Sequence, residues 1–214
     1  MEANISTGRN RKKTVPQFEL IAGAVCLDFV NTLDDRFSSE PKELLKEYAD
    51  LARFAEESAI LADAKVDRVV ERSLANPEAS RRALLKGIRL RGVMSEVFYA
   101  IAWQKPVPQE ELIVLNRFVQ EAAQHLQIVE SGGRFAWKFD DADDLEAPLW
   151  PIARSAAELL ASDRVEFVRA CASKTCEWLF LDESKNHRRR WCDMTKCGNR
   201  AKVRRFYSRK RNEL

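Results

Sequence analysis

The chain has few glycines and histidines, and it has no long apolar run. Seven glycines and two histidines in 214 residues leave no glycine-rich phosphate loop and no zinc-protease motif, and no nucleophile elbow is present, so we expect no enzyme. The apolar run LIAGAVCL, residues 20–27, is well short of the about 18 residues that cross a bilayer, and we expect no membrane partner. Residues 1–16 contain no apolar run, so we expect no secretory signal and a cytoplasmic protein with reduced cysteines.

Charge is distributed unevenly along the chain. Residues 164–214 hold 15 Lys and Arg against 6 Asp and Glu, whereas residues 1–163 hold 21 against 27. Such a division is typical of an acidic body joined to a basic module that binds a polyanion. We therefore divide the chain into a basic tail at 1–16, which its composition predicts to be disordered, a body at 17–163 and a basic module at 164–214.

The body has mainly the sequence pattern of helices. Apolar residues recur at helical spacing in four segments, which are 25–33, 41–58 (opened by Pro41), 76–104 (opened by Asn76 and Pro77) and 109–125. Gly132 and Gly133 separate two extended runs, the second with alternating aromatic residues, which predicts a β-hairpin, and Pro151 starts one more helix. The predicted fold class is mainly α with a small β-hairpin (α+β). It consists of a helical N-terminal domain and a small C-terminal zinc-bound ββα module of treble-clef-like form.

Four of the five cysteines lie in the basic module. Cys171 and Cys176 form one pair and Cys192 and Cys197 form another, with fifteen residues between the pairs. Four thiolates are the ligand set of a structural zinc ion, which a segment with so small a core needs in order to fold. Because four protein ligands leave no open coordination position, we expect one structural zinc and no catalytic one. Buried reduced cysteines, a disulfide or an iron–sulfur cluster are the alternatives that the spacing leaves open.

The segment after the last cysteine is predicted to be a helix with a cationic face. Its apolar residues Val203, Phe206 and Tyr207 share another face, which we expect to pack on the zinc-bound strands beside Trp178 and Phe180. With the aromatic side chains assigned to packing, contact with duplex phosphates is favoured over stacking on single-stranded bases. The residues that we predict to bind DNA lie on this helix and just before the second cysteine pair: Arg188, Arg189, Arg190, Arg200, Lys202, Arg205 and Arg209.

The body contains one polar pair in an apolar setting. In LDFVNTL, residues 27–33, Asp28 and Asn31 are three residues apart and therefore share a helix face. Two interpretations are open. These side chains line a pocket as ligand-binding residues, or they bond and hold other backbone, since buried polar groups need partners.

Both ends of the chain resemble known domains. Residues 171–211 resemble the CGNR zinc finger, a bacterial domain named after the residues at 197–200, and the match includes FLD after the first cysteine pair, RRRWC and the basic helix. FELIAGAVCLDFVNTLDDR, residues 18–36, resembles the opening of the ABATE domain. The resemblance implies a stress-induced transcription regulator, in which the N-terminal domain senses a ligand and the zinc finger binds DNA.

We therefore expect a transcription regulator whose partners are duplex DNA and a small-molecule effector. A lone finger reads few base pairs, so a homodimer is also expected. The alternative is a zinc-stabilised adaptor that binds RNA or another protein without reading a DNA sequence.

Overall fold

The computed structural model describes residues 17–140 and 142–212, with side chains as far as Ser208. The predicted disordered tail at 1–16 and the side chain of Arg209 therefore lie outside the described residues. Among the described helices, none is both long and apolar enough to cross a bilayer. The described chain is largely helical with small antiparallel strand pairs, which confirms the predicted fold class.

Seven α-helices and six short strands make up this described part. The helices are α1 (Val25–Val30), α2 (Tyr48–Glu57), α3 (Asp63–Ala75), α4 (Pro77–Ala102), α5 (Gln109–Gln124), α6 (Leu149–Leu160) and α7 (Asn199–Asn212). The strands pair in chain order: β1 (Leu33–Asp34) with β2 (Lys42–Glu43), β3 (Leu126–Ser131) with β4 (Arg134–Phe139), and β5 (Val168–Ala170) with β6 (Leu179–Leu181). A 3₁₀ turn, Asp163–Phe167, precedes β5, and a π-helical turn, Met194–Gly198, precedes α7.

Helix α4 is the centre of the body. It begins as predicted, because the side-chain oxygen of Asn76 accepts the N–H of Ala79 at 3.1 Å and proline occupies the first helical position. Met94, Val97 and Phe98 are buried along it, and α4 contacts α1, α2, α3, α5 and α6. The predicted hairpin of β3 and β4 is also confirmed.

Helix α2 begins well after Pro41, so the predicted start is wrong. The residues just after Pro41 form β2 instead, which brings Glu43 to the buried guanidinium of Arg91, where the two form an ion pair. A buried arginine needs such a partner, and this requirement overrides the local helical pattern. The helix begins where the carboxylate of Asp50 accepts the N–H of Glu47 at 3.0 Å.

The basic module shares the hydrophobic core of the body. Val168, Leu179 and Leu181 from β5 and β6 are buried in the same cluster as the helices. At Gly23, where φ is +82°, a Cβ atom would lie 3.2 Å from the Cβ of Leu181, so glycine permits both the turn and the close approach. Phe180 points to the opposite side of β6 and packs with the four cysteines. Strand β6 is therefore buried on both faces.

We expect Leu179→Ala to destabilise the whole helical body by about 3 kcal/mol, because it leaves a cavity in the shared core. The measurement is urea unfolding followed by far-UV circular dichroism, which reports on the helices. Leu74→Ala is the matched control, since Leu74 is 77% exposed on α3, and it should move the midpoint little. An unchanged midpoint for Leu179→Ala would show that body and module unfold independently.

Candidate metal centre and basic surface

The four cysteines of the basic module come together at one point. Their Sγ atoms all lie within 4.8 Å of one another, with 3.5 Å between Cys176 and Cys192 and 3.8 Å between Cys192 and Cys197. Four sulfur ligands at zinc-bond distance on a tetrahedron are about 3.8 Å apart. All five cysteines of the chain are free thiols, so the disulfide alternative is not realised in this structure. The cluster fits one four-coordinate zinc ion.

Thiols this close to one another shift each other's pKa. Hydrogen bonds from the thiols of Cys176 and Cys192 lower the pKa of Cys171, and donating to Cys171 raises the pKa of both donors. A divalent cation held by these four cysteines would bind them as thiolates, with metal–sulfur bonds in place of the thiol hydrogen bonds. The zinc ion would thus supply the charge that lets four thiolates share one small site.

Groups from both parts of the chain surround the sulfur atoms. The guanidinium of Arg200 donates to Sγ of Cys197 at 3.2 Å, which raises the pKa of Arg200. The N–H of Cys171 donates to the carbonyl of Trp178 at 2.8 Å and closes the first cysteine turn. Ile21 of the body packs against the cysteine cluster. The body therefore contributes directly to the shell of the metal centre.

The loop between β6 and Cys192 is built around a buried carboxylate. Asp182 accepts hydrogen bonds from the hydroxyl of Ser184 at 2.6 Å and from the N–H of Arg189 at 2.8 Å. The guanidinium of Arg189 lies over the ring of Phe180, 4.7 Å from its centroid, and donates to the carbonyl of Trp191. Arg189 is thus engaged in holding this loop together.

The predicted DNA-binding residues fall into three groups. Lys202 and Arg205 are exposed on α7, and Arg188 is exposed on the loop before Cys192. Arg190 and Arg200 are exposed but also contact the protein, at the ring of Trp191 and at the sulfur of Cys197, and the half-buried Arg189 is bonded within its loop. The side chain of Arg209 lies beyond the part of the chain that the structure describes, so its predicted role, like those of the other six, stays a prediction.

The predicted packing of α7 is wrong. Val203, Phe206 and Tyr207 are 54%, 56% and 62% exposed instead of lying against the strands. The physical reason is that β6 is already covered on both faces, by the body on one and by the cysteines and Arg189 on the other. A groove of about 760 Å³ runs beside the first turns of α7, lined by Thr175, Thr195, Lys196, Asn199, Arg200, Val203 and Arg204.

Asn199 has a local structural contact in this region. Its side-chain amide donates to the carbonyl of Thr195 at 2.9 Å and so joins the π-helical turn to α7. Beside it, Gly198 is buried under the side chain of Met194, where a Cβ atom would lie 3.1 Å from the sulfur. Both residues therefore shape the helix start.

Asp28 and Asn31 connect the body to β6. The amide of Asn31 accepts the N–H of Leu179 at 3.0 Å and donates to the carbonyl of the same residue at 2.9 Å. The carboxylate of Asp28 accepts the N–H of Ala22 at 2.9 Å, and the carbonyl of Ala22 accepts the N–H of Leu181 at 2.7 Å. Burial raises the pKa of Asp28 to about 6, against the lowering effect of its main-chain bonds. Both side chains hold backbone in this geometry, and ligand binding by them stays a prediction.

Sequence reasoning missed three further contacts between body and module. They join Trp178 Nε1 to Asp34 Oδ1 at 2.8 Å, the Tyr99 hydroxyl to the carbonyl of Glu177 at 2.9 Å, and Lys196 Nζ to Glu19 Oε1 at 2.5 Å. The partners are separated by 78 to 177 residues in the sequence, and local pattern carries no signal for such pairs.

We expect Cys192→Ser to release zinc but leave β5 and β6 in place, because the body holds both strands while the metal holds the cysteine turns. Zinc per chain, measured by elemental analysis, should fall from one to near zero. Amide hydrogen exchange should accelerate at 171–178 and 192–200 and remain slow at Leu179–Leu181. Cys26→Ala, which also removes a buried cysteine, is the control and should keep its zinc. A full zinc complement in Cys192→Ser would contradict the assignment.

Comparison with known families gives two matches in succession. Residues 23–163 match the family model of ABATE, described as "Putative stress-induced transcription regulator", and residues 168–210 match that of the CGNR zinc finger. A comparison with curated proteins finds no match. The second match contains all four clustered cysteines, which are the ligands of one structural zinc ion. Since the first match covers more than half of the chain, the chain belongs to the ABATE family, and a CGNR zinc finger follows its ABATE domain.

Proposed function

We propose that this protein is a transcription regulator that binds duplex DNA through the basic surface around α7. The observation that carries the proposal is the exposure of Lys202 and Arg205 on a helix whose start is fixed by a zinc ligand, Cys197. Arg188 and Arg190 are exposed on the loop that leads to the preceding ligand. Cations on a positioned helix suit phosphate contacts, which set the register and orientation of a protein on a duplex.

The charge of the module supports a polyanion as its partner. Residues 164–214 have a formal charge of +9, from 15 cationic and 6 anionic side chains. A zinc ion with four thiolates carries −2, so the metal-bound module keeps about +7. Arginine outnumbers lysine here, and its planar guanidinium can contact phosphates or guanine edges through two hydrogen bonds.

The proposal assigns the sensing of a small-molecule effector to the helical body and no catalytic activity to either part. The family description supports a regulator, and the shared core gives the body direct contact with the zinc-bound strands. One finger contacts few base pairs, so the proposal includes a cytoplasmic homodimer. Sedimentation of the zinc-loaded protein with and without duplex DNA tests the dimer.

We expect Lys202→Gln and Arg205→Gln each to lower the slope of log affinity against log salt by about 0.9, because each removes one phosphate contact. The measurement is fluorescence anisotropy of the zinc-loaded protein on a labelled duplex between 50 and 300 mM salt. Arg117→Gln, an exposed cation on α5, is the control and should leave the slope unchanged. Equal slopes for all three variants and the wild type would place the contact surface elsewhere.

A second candidate function is supported by the exposed aromatic side chains of α7. Phe206 and Tyr207 lie 5.6 Å apart between ring centroids and are more than half exposed, among arginines. Aromatic rings beside cations are the usual platform for stacking unpaired bases. Because the aromatic residues are not packed as predicted, the argument that favoured duplex over single strands is weakened. Binding of single-stranded RNA or DNA is therefore the alternative.

Tyr207→Ala separates the two candidates. If α7 contacts only duplex phosphates, this variant should bind a duplex within twofold of the wild type. If single-stranded bases stack on Tyr207, its affinity for a single strand of equal length should fall roughly tenfold, as expected for the loss of one stacked base. Anisotropy with both probes at one salt concentration gives the answer, and a selective loss on the single strand would overturn the duplex proposal.

A further inference from the structure

The hairpin of β3 and β4 leaves the outer edge of β4 open. The two strands form a two-stranded sheet, which no further strand of the described chain joins. Every residue from Arg134 to Lys138 is exposed, and Phe139 is half-buried at the root, where its ring centroid lies 6.1 Å from that of Trp150. Because a two-stranded hairpin is only marginally stable in water, a further strand on this edge would stabilise it.

The main-chain groups of β4 alternate in direction, and a hydrogen bond at the root shows which of them face outward. The N–H of Asp140 donates to the carbonyl of His125 at 2.8 Å, on the side of β3. Bonded and non-bonded pairs alternate along an antiparallel ladder. The N–H and C=O groups that point away from β3 are therefore those of every second residue: Phe135, Trp137 and Phe139.

The outer edge of β4 is also rich in exposed apolar surface. Phe135 is 76% exposed and Trp137 is 57% exposed, and Ile128, which is opposite Trp137 on β3, is 61% exposed. These side chains share one face of the hairpin. The carboxylate of Glu130 on that face is engaged within the turn, where it accepts the N–H of Gly133 at 2.6 Å. An open, apolar edge of this kind is a template for pairing with another strand.

A second copy of β4 complements this edge in one register. If two β4 strands run antiparallel about a two-fold axis at Trp137, the two Trp137 residues lie opposite each other. Phe135 then lies opposite Phe139 of the second copy, and such aromatic pairs stabilise neighbouring strands. The same register places Arg134 opposite Asp140 of the second copy, so that one pair of opposite charges lies on each side of the axis.

The neighbouring registers place like charges opposite each other. With the axis at Ala136, Arg134 would lie opposite Lys138 of the second copy. With the axis at Lys138, the two Lys138 side chains would lie opposite each other. Like charges directly opposite each other destabilise a strand pair. The charge pattern of β4 therefore favours the register centred on Trp137.

Both members of the charge pair are accessible to a second copy. The carboxylate of Asp140 accepts the N–H of Ala142 at 3.1 Å and contacts Nδ1 of His125 at 2.9 Å. Its side chain is 35% exposed, and a carboxylate has room for further hydrogen bonds. Arg134 is exposed and has no ion pair within the described part of the chain.

We propose that the chain forms a two-fold dimer through the outer edge of β4, which joins two hairpins into one four-stranded antiparallel sheet. The pairing adds about six main-chain hydrogen bonds, two for each pair of outward-facing residues. The inference rests on the homodimer of the proposed function and assigns its interface. The same axis relates the two basic surfaces, and this symmetry matches that of an inverted repeat in duplex DNA.

Arg134→Glu tests the charge pair in the full-length, zinc-loaded protein without nucleic acid. This change places two carboxylates opposite each other on each side of the axis, so the dimer dissociation constant from sedimentation equilibrium should rise roughly tenfold. Arg81→Glu, the same change at an exposed position of α4, is the matched control and should keep the wild-type constant. Far-UV circular dichroism of both variants checks that the helical body is intact.

Substitutions of Ala136 test the register, because this residue lies opposite Lys138 of the second copy when the axis is at Trp137. Ala136→Glu should lower the dissociation constant roughly threefold to tenfold, since it adds two pairs of opposite charge, and Ala136→Lys should raise it by a similar factor. Ala136 is exposed, so neither change disturbs the core. With the axis at Ala136, both variants would oppose like charges. Weaker dimers for both would therefore overturn the proposed register.

The outcomes distinguish this inference from the rest of the proposed function. A monomeric wild type overturns the inference together with the homodimer and leaves the edge of β4 to a strand of another protein, but it does not affect DNA binding by a single chain. If the wild type is a dimer that neither Arg134→Glu nor Ala136→Lys weakens, the interface lies elsewhere and the inference alone fails. If the dimer responds as expected but no duplex is bound, the interface is supported and the proposed DNA binding fails.

Discussion

Strand β6 carries the constraint on which the rest of the structure depends, because three consecutive side chains must satisfy two different environments. Leu179 and Leu181 enter the core of the helical body, while Phe180 packs among the zinc ligands. The alternation of side chains along a strand makes this possible with a segment of three residues. Its backbone is held from the body side as well, through the two hydrogen bonds of Asn31 to Leu179 and the bond of Leu181 to Ala22. The metal centre and the body consequently pack on opposite faces of the same strand.

In the function proposed above, this joint core determines how a signal would pass from the body to the basic surface. A flexible linker would let the finger swing as a unit, whereas the shared strand transmits only displacements of packed groups. The routes that the structure offers are polar: Asn31 to β6, Asp34 to Trp178, Tyr99 to the turn that contains Cys176, and Glu19 to Lys196. In the function proposed above, an effector that moved α1 or the end of α4 would therefore shift the cysteine turns directly. Regulation by small changes in the angle of α7 follows more naturally from this arrangement than release of the finger does.

Features that residues close together in the sequence determine could be predicted, whereas features that depend on distant residues could not. The cap at Asn76, the glycine hairpin and the cysteine cluster were predicted correctly, because each is specified by residues close in sequence or by a ligand chemistry with few solutions. The start of α2 was predicted wrongly, since the deciding interaction is between Glu43 and Arg91, which lie 48 residues apart. The packing of α7 was predicted wrongly for a similar reason. Its apolar residues have a helical spacing that suits burial, but other parts of the chain cover both faces of β6: the body on one, and the cysteines and Arg189 on the other.

The net charge of the module counts arginines that contact other parts of the protein together with cations that extend into solvent. Arg189 lies over Phe180 and closes a loop, and Arg200 donates to the sulfur of Cys197, so each has a contact within the protein that its place in the sequence does not indicate. Lys202 and Arg205, a few residues away, extend into solvent. Arg200 places its charge beside the sulfur of Cys197, and Arg189 covers the ring of Phe180 on β6. Both contacts stabilise the region from which α7 extends. The same residue type therefore performs two tasks in one segment, and geometry decides which residue performs which.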